Sequence, residues 1–459
     1  MDETAGIDKL ADMYVNSKAA SKLNTEDAIA LRFAEENAGR LRYVHKWGKW
    51  LHWTGQRWDE DTTLLAFDIA RNLCRDVAKR SQTKKLESAK TVAAVVQLAR
   101  ADRRLAATTG QWDADPWLLN TPGGTVDLRT GALGPHCLED YGTKLTAVTP
   151  GGECSLWLST LRYIFGGDED LVSFLQRWAG YSLTGVTTEQ KLVFGYGTGG
   201  NGKGVTTTAL AGVLGDYAMA APMETFIAST TDRHPTDLAM LRGARLVTAS
   251  ETEDGRAWAE SRIKHLTGGD KISARFMRQD FFEFTPQFKL LISGNHKPSF
   301  RGIDEAIRRR FLLLPFLVTV PEAERDPDLS EKLKAEWPGI PAWMIAGCID
   351  WQERGLRPPA SVLEATRNYL EAEDAFQLWL ADCTVLDPNS WEPTADLFGS
   401  WTSWAKAAGE QIGSQKRFVQ TLEAAGFAAA RNREQTKRGF DGLRLLRPDY
   451  TYDSRLGER

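Results

Sequence analysis

The sequence predicts an α/β protein in three parts: a mixed α+β N-terminal domain, an α/β core, and a small C-terminal domain of helices followed by strands. Three observations predict it. A short apolar strand, Lys191 to Gly195, runs into a glycine-rich loop and then a helix through Leu210 and Leu214. Apolar runs of strand length recur at 244–250 and 288–294, and a longer one, Phe311 to Val320, is broken by Pro315. Near the end, two helical patterns precede two β-like segments. At 459 residues the chain exceeds one ordinary core, and the expected divisions are 1–160, 161–340, a helical linker at 341–370, and 371–459.

Composition narrows the class. With 42% hydrophobic and 26% charged residues the chain is globular. The five cysteines, Cys74, Cys137, Cys154, Cys348 and Cys383, are scattered without a CxxC pair, which argues against a disulfide framework or a zinc knuckle and for a reducing cytoplasm. The first thirty residues lack the basic, apolar and small-residue succession of a signal peptide, and no run is long enough to span a bilayer, so no membrane association is expected. Net charge is −4, but it is unevenly placed. Arg262 to Arg310 holds eleven Lys or Arg against five Asp or Glu, and Lys406 to Arg447 holds nine against four. Local excess of this kind matters more to a polyanion than the total, although each run by itself also reads as a solvated helix face.

Residues 1 to about 110 read as helical except for the aromatic segment Arg42 to Trp58, whose glycine breaks predict short strands and tight turns. Its interleaved Trp and Lys suit a base-stacking platform, but a packed hairpin is the simpler expectation, because Trp is chiefly a core residue. A second hairpin pattern covers Thr121 to Gly131. Leu171, Phe174, Leu175 and Trp178 share one helical face, with Asp168 placed to cap it. Arg357-Pro358-Pro359 and the acidic stretch Glu371 to Asp374 then separate the core from the C-terminal domain.

The chemistry concentrates in the loop Gly197-Thr198-Gly199-Gly200-Asn201-Gly202-Lys203-Gly204-Val205. Strand, glycine loop and helix in this order make a phosphate cradle: backbone N–H groups converge on phosphate oxygens, the helix N-terminus adds partial positive charge, and Lys203 neutralises the β- and γ-phosphates. Gly204 departs from the pattern, since a Ser or Thr hydroxyl there ordinarily holds Mg²⁺. Thr206 is near but at the wrong offset.

Hydrolysis would also need a carboxylate at the end of a neighbouring strand, to hold Mg²⁺ through water and to orient the attacking water. Glu251 ends the strand 244–250, and Glu253 lies one alternation on. Asn295 ends the strand 288–294 and is placed to sense a γ-phosphate or to position the water. The cluster Arg308-Arg309-Arg310 precedes the next strand. In ring ATPases such a cluster reaches a neighbouring subunit's γ-phosphate, and Arg309 and Arg310 are the candidates.

The C-terminal pattern points to a winged helix-turn-helix. Thr394 to Gly409 reads as one helix with Leu397, Trp401 and Trp404 on a face. Ser414 caps a second, which carries Phe418 and Leu422 inward and Lys416, Arg417 and Gln420 outward. Strands at 428–431 and 440–446 are joined by a basic turn containing Lys437 and Arg438. Such domains bind DNA or mediate protein contacts.

The succession of phosphate loop, Ser250-Glu251, Ile263 to Asp270, Arg275, Asn295-His296-Lys297-Pro298 and Arg309-Arg310 resembles the phage and plasmid primase-helicase family, which includes satellite-phage and poxvirus proteins and belongs to the superfamily 3 helicases. The resemblance runs from about Arg42 onward and includes Asp127 to Gly131 and Phe165 to Asp168. It implies an AAA+ type core using ATP and Mg²⁺, a homo-hexameric ring on single-stranded or forked DNA, and a bacterial cytoplasmic setting in phage, prophage or plasmid replication. It also implies a channel hairpin with strands at 272–277 and 281–285 and Arg278 at its tip, with Lys271 and Arg275 as further DNA contacts. Primer synthesis is not expected, because the segment before the core matches the helicase-associated region; a separate primase or initiator would be the partner. Two other readings stay open: a P-loop ATPase that remodels proteins without unwinding, and a DNA-binding initiator with a structural nucleotide site.

Overall fold

A computed structural model of the chain describes residues 25–228, 236–250, 258–277, 280–298, 300, 303–410, 412–432, 434 and 436–446. These fall into two units, one of residues up to Asp127 with Ala132–Thr149, the other of Leu128–Gly131 with Pro150 onward.

In the first unit, helix α1 (Glu26–Asn37) starts where the Thr25 hydroxyl accepts from the Ala28 amide at 3.2 Å. It packs with α2 (Leu65–Ser81) and α3 (Ala89–Ala99) around Phe33, Leu73, Cys74 and Val95. The aromatic segment forms β1 (Leu41–Val44), β2 (Lys49–Trp53) and β3 (Trp58–Glu60), which with β4 (Ala106–Ala107) make a sheet of order β3-β2-β1-β4. Trp50 and Trp58 are buried, and Trp58 sits edge-on to Trp112 and stacked on Tyr141, so the packed-hairpin expectation describes this segment. The second hairpin pattern appears as β5 (Leu118–Thr121), β6 (Gly124–Asp127) and β7 (Ala132–Gly134) in one antiparallel sheet.

The second unit opens with α4 (Ser155–Ile164) and α5 (Glu169–Leu183). Asp168 caps α5 as expected, accepting from the amides of Asp170 and Leu171, and Leu171, Phe174, Leu175 and Trp178 are buried. A five-stranded sheet follows. Its strands are β8 (Leu192–Tyr196), β9 (Ala218–Ala220), β10 (Leu246–Ser250), β13 (Lys289–Gly294) and β14 (Phe311–Pro315), all parallel, in the order β14-β8-β13-β10-β9. The antiparallel pair β11 (Ile272–Ala274) and β12 (Phe282–Phe284) stands apart from it. Pro315 ends β14, because it can extend a strand only at its margin. Helices α6 (Lys203–Leu214), α7 (Thr236–Ala239), α8 (Glu260–Gly268) and α9 (Glu305–Arg308) occupy the connections.

The order has one consequence for chemistry. β13 pairs with β8 on one side and β10 on the other, so the C-terminal ends of β8, β13 and β10 lie side by side at one edge of the sheet. At the opposite edge, Arg245 donates to the Leu183 carbonyl at 2.6 Å and Lys289 to the Thr184 carbonyl at 2.5 Å, which ties the end of α5 beneath the sheet. Lys289 also faces the Tyr181 ring at 4.4 Å, and burial pushes its ammonium well below the usual lysine range.

After β14 come α10 (Leu329–Ala335) and α11 (Gly339–Arg354). α11 crosses α5 at glycines: a methyl on Gly180 would lie 2.1 Å from the Cys348 nitrogen, and one on Gly347 2.1 Å from the Gln176 carbonyl oxygen. Helix α12 (Ala360–Cys383) then runs unbroken through the acidic stretch 371–374, where a separation was expected. Tyr369 and Leu370 belong to the apolar cluster under the sheet, whereas Ala375, Phe376 and Trp379 belong to that of the C-terminal domain. That domain adds β15 (Thr384–Pro393), α13 (Thr394–Ala408), α14 (Gln415–Ala424), β16 (Ala429–Arg431) and β17 (Arg438–Leu445), with strand order β15-β17-β16. Ser414 caps α14. β15 was not legible beforehand, because Asp387, Pro388 and Asn389 interrupt its alternation and its pairing shifts register there. Among the described residues no helix is long and apolar enough to cross a membrane.

Candidate functional site

The glycine loop leaves the end of β8 and closes on the first turn of α6. Gly199, Gly200 and Gly202 have φ of 108°, 61° and 80°, values that favour glycine. Gly202 is confined as well, since a methyl there would lie 2.6 Å from Ile164 Cγ2 at the end of α4. Asn201 is buried and donates to the Phe316 carbonyl at 3.0 Å, which fastens the loop to the segment after β14.

Lys203 is 8% exposed. Its ammonium donates to the Gly197 carbonyl, to Asn201 Oδ1 at 3.0 Å and to Asn295 Oδ1 at 3.1 Å. Burial lowers its pKa from the usual lysine value. Asn295 follows β13, the strand hydrogen-bonded to β8, so the topology brings together two residues singled out separately in the sequence. Glu251 and Glu253 follow β10 and lie outside the described residues.

The loop's geometry suits a phosphate group: bare backbone at its glycines and a cation at its helical end. For a divalent metal the loop itself offers less. Gly204 is exposed with open space around it, and the buried Thr206 hydroxyl donates to the Gly202 carbonyl at 3.0 Å. A metal here would need water and a carboxylate from elsewhere.

The arginines divide sharply. Arg310 is buried, donating to Thr267 Oγ1 at 3.1 Å, to the Ala306 carbonyl at 3.0 Å and to Gln190 Oε1 at 3.3 Å. Its guanidinium is thus occupied within its own chain. Arg308 pairs with Asp374 of α12 at 2.8 Å. Arg309 is exposed and makes no ion pair with any described residue.

β11 and β12 pair Ile272 with Phe284 and Ala274 with Phe282, a shorter ladder than 272–277 with 281–285. Arg278 lies outside the described residues. Lys271 is exposed and 3.9 Å from Glu283, and Arg275 lies over the Phe281 ring at 4.8 Å. Phe276, Met277 and Phe281 are exposed, an apolar group that the charge-based reading passed over. In the C-terminal domain Lys416, Arg417, Lys437 and Arg438 are all exposed.

One grouping was missed in the sequence. Lys297, two residues past Asn295, lies over the rings of Tyr196 at 4.9 Å and Tyr369 at 5.3 Å. Burial lowers its pKa to about 8, and burial raises that of Glu373 on α12 to about 7 against the pull of Arg417 and Lys297. No sequence spacing relates residues so far apart.

Fold and loop define a class: a parallel α/β sheet carrying a glycine loop and its lysine at the end of an inner strand. Comparison with known proteins narrows it. Residues 30–166 match the family model described as D5 N terminal like, and residues 195–310 match a family of unknown function, DUF5906. The chain is similar to "Putative helicase 022R" of Frog virus 3 (isolate Goorha), 26% identical over 261 residues, covering 52% of this chain and 27% of the relative. It is also similar to "Putative helicase L207/L206" of Acanthamoeba polyphaga mimivirus, 24% identical over 323 residues, covering 64% and 33%. The chain therefore spans about a quarter to a third of the length of these curated relatives. Among solved structures it is similar to the apo NrS-1 C terminal region (305-718), A form, with a TM-score of 0.49, 12% identity, and coverage of 85% of this chain and 84% of that one. The D5-type region and the viral relatives agree with the resemblance to phage and viral primase-helicases.

Proposed function

We propose that this chain is the motor part of an ATP-dependent DNA helicase acting in replication, with an AAA+ core of superfamily 3 type. The observation that carries the proposal is the contact of Lys203 with Asn295 across adjacent strands, at the edge where β10 also ends. A lysine for the phosphates, a polar residue beside it and a carboxylate one strand further are the parts that phosphoryl transfer to water requires. The kinship with viral helicases supports DNA as the track.

In this reading ATP lies along Gly197–Val205, with Lys203 neutralising the β- and γ-phosphates. Glu251 would hold Mg²⁺ through water, and the ion would supply neutralising charge at the phosphates. Glu251, with Glu253 beside it, orients the attacking water, and Asn295 registers the γ-phosphate and relays its loss to β13. Arg309, exposed beside α9, completes the site of a neighbouring subunit in a hexameric ring, while Arg310 braces the turn that carries it. The β11–β12 hairpin, with Lys271, Arg275 and Arg278, grips the DNA backbone. The C-terminal domain has the helix, strand, helix, helix, hairpin order of a winged helix and binds DNA through Lys416, Arg417, Lys437 and Arg438.

The test is ATP hydrolysis and strand separation on a forked DNA. Hydrolysis stimulated by single-stranded DNA, with unwinding abolished by Lys203→Ala and by Glu251→Gln, is the expected result. Hydrolysis without unwinding of any fork would instead assign a protein remodeller, and nucleotide binding without turnover an initiator with a structural site.

A further inference from the structure

We infer that Arg325 is a second phosphate-binding cation of the nucleotide site, supplied by the same subunit as the loop; this rests on the reading of that loop as a nucleotide site. The guanidinium lies directly against the bare face of Gly200: a methyl there would be 2.6 Å from Arg325 Nη2 and 3.1 Å from its Cζ. The segment carrying the arginine is fastened to the loop, because the Val320 amide donates to the Gly200 carbonyl at 2.8 Å. Arg325 Nε in turn donates to the Val320 carbonyl at 3.0 Å. Loop and arginine are thus held in one register by two consecutive hydrogen bonds.

This arrangement leaves the useful edge of the guanidinium free. Nε is occupied, whereas Nη1 and Nη2 have no hydrogen-bond partner among the described residues, and the side chain is exposed. The neighbouring carboxylate of Glu324 is engaged elsewhere, accepting from the Tyr163 hydroxyl at 2.5 Å. A planar fork of donors, fixed beside a loop whose backbone amides converge on phosphate, matches the bidentate geometry of phosphate oxygens better than that of a base edge. A methyl on Gly200 would displace the guanidinium from its place against the loop.

The experiment measures binding of fluorescent ADP and ATP analogues to the full chain and its displacement by inorganic pyrophosphate, in wild type, Arg325→Ala, Arg325→Lys and Lys203→Ala. Arg325→Ala is expected to weaken both nucleotides and pyrophosphate about tenfold, the loss of one charge-assisted contact, with an unchanged melting temperature. Arg325→Lys should recover part of that loss, keeping the charge without the fork. If Arg325→Ala binds all three ligands like wild type while Lys203→Ala does not, the arginine assignment is wrong and the nucleotide site stands. If nucleotide affinity falls but pyrophosphate affinity does not, the contact is to base or ribose and the phosphate assignment is overturned. Absence of binding by wild type itself would overturn the nucleotide site and this inference with it.

Discussion

The ammonium of Lys203 donates to the Asn295 side-chain oxygen at 3.1 Å, joining the first turn of α6 to the end of β13. Lysine and asparagine have different duties in the proposed site, so their variants should separate. Lys203→Ala is expected to lose nucleotide binding. Asn295→Ala should retain binding within a few-fold but lose about a hundredfold or more in turnover, the scale of removing one positioning group from a reacting centre. Equal loss of binding in both variants would remove the distinction.

The glycines of the loop are not equivalent. Gly202→Ala introduces a methyl 2.6 Å from Ile164 at φ 80°, and should cost roughly 1–3 kcal/mol of stability, read by chemical denaturation. Gly204 has open space around it, so Gly204→Ser should fold normally. If the position faces the metal, the serine hydroxyl lowers the Mg²⁺ concentration at half-maximal ATPase; an unchanged Mg²⁺ dependence would place the metal away from Gly204.

Adjacent arginines should fail in different ways. Arg310→Ala removes a buried guanidinium with three hydrogen bonds and is expected to cost about 2–4 kcal/mol. Arg309→Ala should leave stability within about 0.5 kcal/mol of wild type. Its turnover should nevertheless fall about a thousandfold, with partial recovery when its subunits are mixed with Lys203→Ala subunits. Wild-type ATPase in Arg309→Ala would rule out its role at a shared site.

Glu373 gives a pH dependence with a definite sign. Its pKa is raised by burial from an ordinary value near 4.5 to about 7, so the folded chain holds this proton more tightly than the unfolded one. The stabilisation is complete below pH 4.5 and is lost as pH rises through about 7. Lys297, lowered to about 8, acts in a higher window, where stability rises with pH between about 8 and 10.5. Glu373→Gln should therefore melt a few degrees above wild type at pH 8, with the difference shrinking at pH 5. A difference independent of pH would mean that the carboxyl does not titrate in this range.

The exposed cations of the C-terminal domain should show themselves through salt. Substituting Lys416, Lys437 and Arg438 together by Ala is expected to weaken DNA binding and to lower the slope of log affinity against log salt by about 3 if each meets a phosphate. An unchanged slope would leave this domain to protein contacts.

The sequence by itself determined the local elements and the glycine loop. Apolar runs of strand length, the cap at Asp168, the cap at Ser414 and the left-handed glycines of the loop depend on residues close in the chain, so spacing reveals them. The break of the apolar run at Pro315 was legible for the same reason. Tertiary structure alone decided which strand lies next to which, and hence that Lys203 meets Asn295. It decided that Arg310 is spent on Thr267 and Gln190 while Arg309 faces outward, since these two partners lie 43 and 120 residues away and leave no periodic trace. It also made one helix of 360–383, where acidic residues suggested a boundary: Tyr369 and Trp379 anchor that helix in two different cores, and burial at both ends overrides the local preference of the charged turn between them.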